Sequence, residues 1–389
     1  MNRRKFLKLG VGLSAASGLM AACGNNAATP AGETKPAADV KPTEAPKAAA
    51  GGATVDKSKL AKTLTWYTWG GYESPDTLKK FEEEFGVNVK FDTYGSNEEM
   101  EAKFKAGGNP GYDVISPSDY MVAKMAAAGL LEKIDVNNLS NFGKIDPGHK
   151  GLYFDTNNEW SVAYNWGCTG FGYNKGKVAA PIDNWKQVLA WPDDQKGKLG
   201  FLDDMREFLA IGLRSTGATG NATKPEEIEA AKKLLIDLKK RTNYSLTDSP
   251  GAKTNIVAGD TFGSMIYTND AVQGRKENPD LVYVLPGDVT TVWQDNNCIP
   301  KGAPSKYTAE VFIDFLARPD VSAGLANELG LATPIKEAID GGLIDKALTS
   351  DKAVYPNIVE LGAKLEYLKK GDPAVDELFQ RAFDEIKSA

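Results

Sequence analysis

The 389-residue chain has a single histidine, His149, and three cysteines, Cys23, Cys168 and Cys298. That scarcity excludes much chemistry. Ser–His–Asp and Cys–His triads need a placed imidazole, and His-rich zinc sites need several ligands. His149 stands in Asp146-Pro147-Gly148-His149-Lys150, which reads as a surface turn. No catalytic residue, metal or cofactor is expected. Basic charge is also short. The formal net charge is −6, and Arg3, Arg4, Lys5 and Lys8 fall in a segment expected to be removed. Without them 42 basic residues face 52 acidic ones, a balance of −10. That disfavours nucleic acid as a partner. The one terminal apolar run, Leu9 to Ala22, is too short to span a bilayer comfortably.

A local deficit is more informative. No Lys or Arg occurs between Arg275/Lys276 and Lys301. Inside that gap lies Thr291-Val292-Trp293-Gln294-Asp295-Asn296, which reads as a short strand. Strand side chains alternate faces, so Trp293 and Asp295 point the same way. A carboxylate held against an indole is costly unless a cation meets it. An organic ammonium suits both groups, as ion pair to the acid and cation–π partner to the ring. The plainer reading is an edge strand with Trp293 in the core and Asp295 in water.

Residues 1–23 read as a targeting segment. Arg3-Arg4-Lys5 gives a basic start with twin arginines, and Met20-Ala21-Ala22-Cys23 resembles a lipoprotein cleavage site. Cys23 is then the lipidated mature N-terminus. Residues 24–60, rich in Ala, Pro, Thr, Lys and Glu without apolar periodicity, read as a disordered tether. Extended at about 3.1 Å per residue, it reaches on the order of 100 Å. The expected location is outside the cytoplasm, anchored by lipid.

The folded part follows. Leu64 to Trp69 reads as a strand. Ser74-Pro75 opens a helix that Gly86 ends. Val87 to Tyr94 alternates as a second strand, Ser96-Asn97-Glu98-Glu99 opens another helix, and Tyr112 to Ser116 is a third strand. This order implies a parallel sheet with helices on its faces, and ligands bind beyond the carboxyl ends of such strands. Val162 to Asn174, punctuated by glycine, looks like a crossing to a second lobe. A second α/β series then runs through Leu199–Leu202, the helix from Thr223-Lys224-Pro225-Glu226, Phe262–Tyr267 and Leu281–Leu285. Trp293 to Ile299 crosses back. The expected division is 61–165 with part of 297–340 as the first lobe, and 166–296 with part of the C-terminal helices to 389 as the second. An antiparallel pairing of the two crossings would bring Cys168 and Cys298 near each other, and an oxidising compartment would then allow a disulfide.

Four strand-end loops carry an aromatic, an acid or both: Trp69/Tyr72, Asp204/Glu207, Tyr267/Asp270 and Trp293/Asp295. Ser118 and Tyr120 add neutral hydrogen-bonding groups. Arg206 is a candidate partner for Asp204 or Glu207. Facing strand ends of two lobes make one cleft, and aromatic walls with acids at both ends suit a linear polycation. A carbohydrate hydrolase with paired acids, or a binder of another cationic or sugar-like solute, fits the residue types as well.

Several ordered motifs then agree: Tyr67-Thr68-Trp69-Gly70-Gly71-Tyr72, Thr93-Tyr94-Gly95-Ser96-Asn97-Glu98, Tyr112 through Tyr120, Asp203-Asp204-Met205-Arg206-Glu207, Trp293-Gln294-Asp295 and Leu316-Ala317-Arg318-Pro319-Asp320. On these, from Leu64 to Lys387, the chain resembles the bacterial spermidine/putrescine-binding proteins of ABC transporters. The resemblance implies an α/β, two-lobed periplasmic-binding-protein type II fold, each lobe a mostly parallel sheet flanked by helices, joined by a hinge. It implies a non-enzymatic, monomeric solute-binding component with permease subunits as partners. It also implies polyamine contacts at Trp69, Tyr72, Ser118, Tyr120, Asp204, Glu207, Trp293 and Asp295. Tyr267 stands where the family usually has Trp, Gly70 replaces Ser or Thr, and Leu331 stands where spermidine binders have Tyr. The glutamine expected near Leu368 is absent, and Asp270 resembles an acid of the putrescine-type members.

Overall fold

The computed structural model describes residues 54–369 and 371–389. The targeting segment, Cys23 and the tether up to residue 53 lie outside the described residues.

The first half alternates as its punctuation requires: β1 Thr63–Trp69, α1 Pro75–Phe85, β2 Asn88–Tyr94, α2 Asn97–Gly107, β3 Val114–Ile115, α3 Asp119–Ala127 and β4 Leu131–Glu132. Ser74 caps α1, its hydroxyl accepting from Thr77 N–H at 3.2 Å, with Pro75 in the first turn. Gly86 ends the helix at φ +71°, a left-handed conformation that costs glycine no Cβ strain. Ser96 accepts from Glu99 N–H at 3.2 Å, while the Glu99 carboxylate reaches Gly95 N–H instead of closing a box on Ser96. The long strand β5, Ser161–Asn174, leads to the second half. There α4 Trp185–Leu189, β6 Leu199–Leu202, α5 Met205–Ser215, α6 Pro225–Thr242, β7 Ser245–Thr247, α7 Ser249–Ala258, β8 Gly263–Tyr267, α8 Thr268–Glu277 and β9 Leu281–Val284 follow. The return strand β10, Thr290–Pro300, brings the chain to α9 Lys306–Leu316 and α10 Pro319–Leu329. A short β11, Leu365–Glu366, and the C-terminal helix Pro373–Ser388 close the chain.

The strands join in the order β2-β1-β3-β10-β5-β8-β6-β7. β1 is parallel to β2 and β3, and β6 is parallel to β7 and β8. Between these two parallel groups, β10 and β5 run antiparallel to each other and to their outer neighbours. Each group packs its own core. Trp66, Phe81 and Phe312 are fully buried on one side, Phe171, Phe201 and Phe208 on the other. Burial of one such ring contributes about 1.5–3 kcal/mol. Ile228, Ala231, Leu235 and Leu238 form the inward stripe of α6.

The central strands correct three expectations. First, β10 is eleven residues long and buried throughout, so it is neither short nor an edge. Its polar side chains are held by one another. Gln294 Nε2 donates to Asn296 Oδ1 at 2.9 Å, Asn296 Nδ2 donates to the Gln294 carbonyl at 2.9 Å, and Ser116 Oγ donates to Asn297 Oδ1 at 2.9 Å. Such satisfaction is the condition for polar groups inside a sheet. Second, His149 is half-buried in the turn Pro147–His149 rather than free on the surface. Its Nδ1 lies 2.8 Å from Gln294 Oε1, its ring sits 5.3 Å from that of Trp166, and burial pushes its pKa down. Third, Cys168 and Cys298 are separate buried thiols. The strands are antiparallel neighbours, but the register sets Cys168 opposite Val292 and Cys298 opposite Ser161. Six residues of strand keep the sulfurs apart, beyond disulfide reach.

Candidate functional site

The antiparallel pairing of β5 and β10 turns the carboxyl ends of the two parallel groups toward one space. There lies a cavity of about 210 Å³. All ten residues singled out in the sequence line it: Trp69, Tyr72, Ser118, Tyr120, Asp204, Glu207, Tyr267, Asp270, Trp293 and Asp295.

Asp295 is 3% exposed. A register shift falls between Asp295 and Asn296, a bulge that frees the strand to aim the carboxylate inward. Ser118 Oγ donates to Asp295 Oδ1 at 2.6 Å, and the Tyr72 hydroxyl donates to Oδ2. Burial pushes the Asp295 pKa up to about 6, although both hydrogen bonds pull the other way. The indole of Trp293 stands two residues before it, 7% exposed, with the Tyr267 ring edge-on at 5.7 Å. Trp293 Nε1 is buried without a hydrogen-bond partner.

Across the cavity, Asp204 caps α5, its Oδ1 accepting from Glu207 N–H at 3.0 Å. Its Oδ2 accepts from the Tyr267 hydroxyl at 3.3 Å. Glu207 Oε1 accepts from Thr169 Oγ1 at 2.9 Å, while Oε2 is buried and unpartnered. Burial and then the neighbouring Asp204 push the Glu207 pKa up to about 7. Burial likewise raises Asp204. Arg206 does not pair with either acid. It turns away to the Lys369 carbonyl and to Asp376 and stacks over the Phe379 ring at 4.5 Å. Asp270, in the first turn of α8, rises to about 6, chiefly through burial. Among the described residues no lysine or arginine forms an ion pair with Asp204, Glu207, Asp270 or Asp295; the cations that bear on them pair with other acids, Arg206 with Asp376, Arg214 with Glu366 and Lys253 with Glu277.

The remaining wall is aromatic. Trp69 Nε1 donates to the Ser116 carbonyl at 3.0 Å and its ring lies 4.8 Å from Tyr94. Asn97 Nδ2 donates to the Tyr120 hydroxyl, which donates to Glu98 Oε1, each at 3.1 Å. Sequence reasoning missed Asp119. It is 1% exposed, accepts from Tyr120 N–H at 2.6 Å and Gln294 N–H at 3.3 Å, and burial holds its carboxyl well above the usual range. Its place directly after Ser118 was the available signal. Leu368 also lines the cavity, supplying an apolar surface where a glutamine was expected.

Enclosed acids that form no ion pair among the described residues, set between flat rings, can receive a cationic organic solute. Among the described residues no group of three or more His, Cys, Asp or Glu is arranged to hold a metal ion. Residues 76–356 match the family described as bacterial extracellular solute-binding protein. The chain belongs to that family. Members are solute-binding proteins of transporters, and the two parallel groups are the lobes of a periplasmic-binding-protein type II fold hinged at β5 and β10. A spermidine/putrescine-binding periplasmic protein of Escherichia coli (strain K12) is 33% identical over 333 residues, 84% of this chain and 92% of that protein. One of Salmonella typhimurium is 36% identical over 296 residues, 76% of this chain and 83% of that protein. A solved structure described as a putative spermidine/putrescine ABC transporter from Listeria monocytogenes superposes with a TM-score of 0.78 at 32% identity, covering 84% of this chain and 99% of that one.

Proposed function

We propose that this chain is the extracytoplasmic component of an ABC importer that captures a polyamine between its lobes and delivers it to the permease. The observation that carries the reading is Asp295: a buried carboxylate, held by two neutral hydroxyls beside Trp293, with no lysine or arginine paired to it among the described residues. An ammonium completes it as ion pair and cation–π partner. Asp204 and Glu207 receive a second positive centre, and Asp270 a terminal amine. The names of the relatives support the same ligand class. The lobes, 61–165 with part of 297–340 and 166–296 with part of the C-terminal helices, close on the ligand, and the closed form is what the permease reads. The solute leaves unchanged, so no reaction is assigned to the paired acids. Lipid on Cys23 holds a monomer at the outer face of the cell membrane.

Calorimetric titration with putrescine, spermidine and spermine, beside a neutral sugar, tests this. Saturable micromolar-or-tighter binding of an amine, lost in Asp295→Asn, is expected. Binding of the sugar with none for any amine overturns the reading.

A further inference from the structure

Asn269, in the first turn of α8, lines the cavity beside Asp270 and is 5% exposed. Its Nδ2 donates to Asp270 Oδ2 at 3.4 Å, and among the described residues no hydrogen bond reaches its Oδ1. The two lobes meet here. Gly71, in the turn after β1, comes so near that a Cβ on it would lie 4.0 Å from Asn269 Nδ2. Further along α8, Gln273 Nε2 donates to the Glu328 carbonyl of α10 at 2.7 Å. A Cβ on Gly330, which ends α10, would lie 2.6 Å from Val272. Helix α10 packs into the core of the first lobe through Val321 and Leu325. Among the described residues none of α8 beyond Asp270 lines the cavity, so the cavity ends where the first lobe meets that helix.

The geometry points to Asn269 as a specificity-determining residue that, together with Asp270, reads a terminal primary ammonium. The inference rests on the polyamine reading and adds to it a residue and the kind of amine this end accepts. A primary ammonium, like that of lysine, carries three N–H donors. Asp270 takes one as its ion pair, and the open Asn269 Oδ1 takes a second. Because the planar amide already turns Nδ2 to Asp270, its oxygen points the other way, to the remaining space. A tertiary ammonium has a single N–H and two added methyl groups. It can pair with Asp270, but it leaves the Asn269 carbonyl enclosed and unpaired, which is the costly outcome for a buried polar group. Its methyl groups must also find room between Asn269 and the Gly71 turn.

The polar neighbours of Asn269 are committed elsewhere. Ser249, in the same corner of the cavity, accepts from Tyr267 N–H through its Oγ at 3.0 Å. Thr268 Oγ1 donates to the Cys168 carbonyl at 3.1 Å. Asn269 Oδ1 is thus the neutral acceptor these neighbours leave beside Asp270. Its contact with Asp270 is long for an N–H···O bond, so propping that carboxylate is a weak reason for an amide at this position. What the corner distinguishes is the head group and not the length of the chain. Putrescine and spermidine, which both end in primary amines, meet it alike, and an amine alkylated at its ends is turned away by an unfilled acceptor.

The test is calorimetric titration of the natural protein, Asn269→Ala and Asn269→Asp with putrescine, and competition by N,N,N′,N′-tetramethylputrescine. Loss of one hydrogen bond to a charged group should weaken putrescine about tenfold in Asn269→Ala and leave the methylated amine nearly unaffected. Asn269→Asp keeps an oxygen acceptor of the same size and should hold putrescine nearly as the natural protein does. An equal loss for both amines, or a loss in Asn269→Asp as large as in Asn269→Ala, makes the side chain a matter of shape and overturns the inference. Where the methylated amine competes too weakly to be ranked, the two putrescine affinities decide alone. Unchanged putrescine affinity in Asn269→Ala also overturns the inference and leaves the polyamine reading standing. If the natural protein binds no amine, the polyamine reading falls first and the inference with it.

Discussion

Gly167 and Trp293 face each other across β5 and β10, and the indole occupies the space that a Cβ on Gly167 would need. A Cβ placed there would lie 2.7 Å from the ring. The glycine in the crossing strand therefore seats the aromatic wall of the site. Gly167→Ala forces the ring or the strand to shift, at about 1–3 kcal/mol if the neighbourhood is rigid. The expected result is amine affinity reduced about tenfold or more with an unchanged far-ultraviolet spectrum. Titration of the variant at constant pH checks it, and unaltered affinity would show that Trp293 does not touch the ligand.

Asp295 should be worth more to binding than to folding. Its raised pKa, about 6 against an ordinary 3.8, means that the folded protein binds the proton more tightly than the unfolded chain does. The destabilisation is absent below about pH 4, grows between 4 and 6, and is complete above 6. A two-unit shift corresponds to about 1–3 kcal/mol. Asp295→Asn should accordingly raise the melting temperature of the ligand-free protein at pH 7.5 and leave it unchanged or lower it at pH 4. The same variant should lose at least about a hundredfold in amine affinity, because an ammonium would be buried without its counter-charge. Thermal melts at both pH values, with titrations at pH 7.5, measure both effects.

These two residues show what the sequence could and could not disclose. Trp293 and Asp295 were legible because a two-residue period puts them on one face whatever the strand's partners are. Asp204 and Glu207 were legible because a capping acid and the residue three positions on share a helix end. The burial of β10 along its whole length was hidden. Its polar residues look like an edge strand until Gln294, Asn296 and Asn297 are seen bonding to their neighbours. His149 was misplaced for the same reason, since its partner Gln294 is 145 residues away. Register decided the cysteines, and no local pattern encodes a register between strands more than a hundred residues apart.

Affinity for amines should fall steeply on acidification. Glu207 is raised to about 7, and Asp270 and Asp295 to about 6, so each is progressively neutralised between pH 7.5 and 5.5. Alkyl ammonium groups stay charged over that range, as lysine does with its pKa near 10. Lowering the pH therefore removes protein charge while leaving ligand charge intact. A Kd at least about tenfold weaker at pH 5.5 than at 7.5 is expected for putrescine. A flat profile from 5.5 to 7.5 would mean that these acids do not receive the ammonium groups.

Closure should have its own ion pair. Lys124, on α3 of the first lobe, reaches Asp376 at 3.3 Å, at the start of the C-terminal helix that packs on α5 and α6 of the second lobe. Each of the two side chains is 22% exposed, so the pair is neither sealed nor fully solvated. A contribution of about 0.5–1 kcal/mol is reasonable for such a contact, and salt screens it. Because it bridges the two lobes, it is expected to act on the lifetime of the closed complex rather than on encounter. Asp376→Asn leaves Lys124 its contact with Glu101 while removing the bridge between lobes. Stopped-flow fluorescence should then show amine release about two- to fivefold faster and association nearly unchanged, with the difference shrinking at high salt. A change confined to association would place the pair on the encounter path and refute its role in closure.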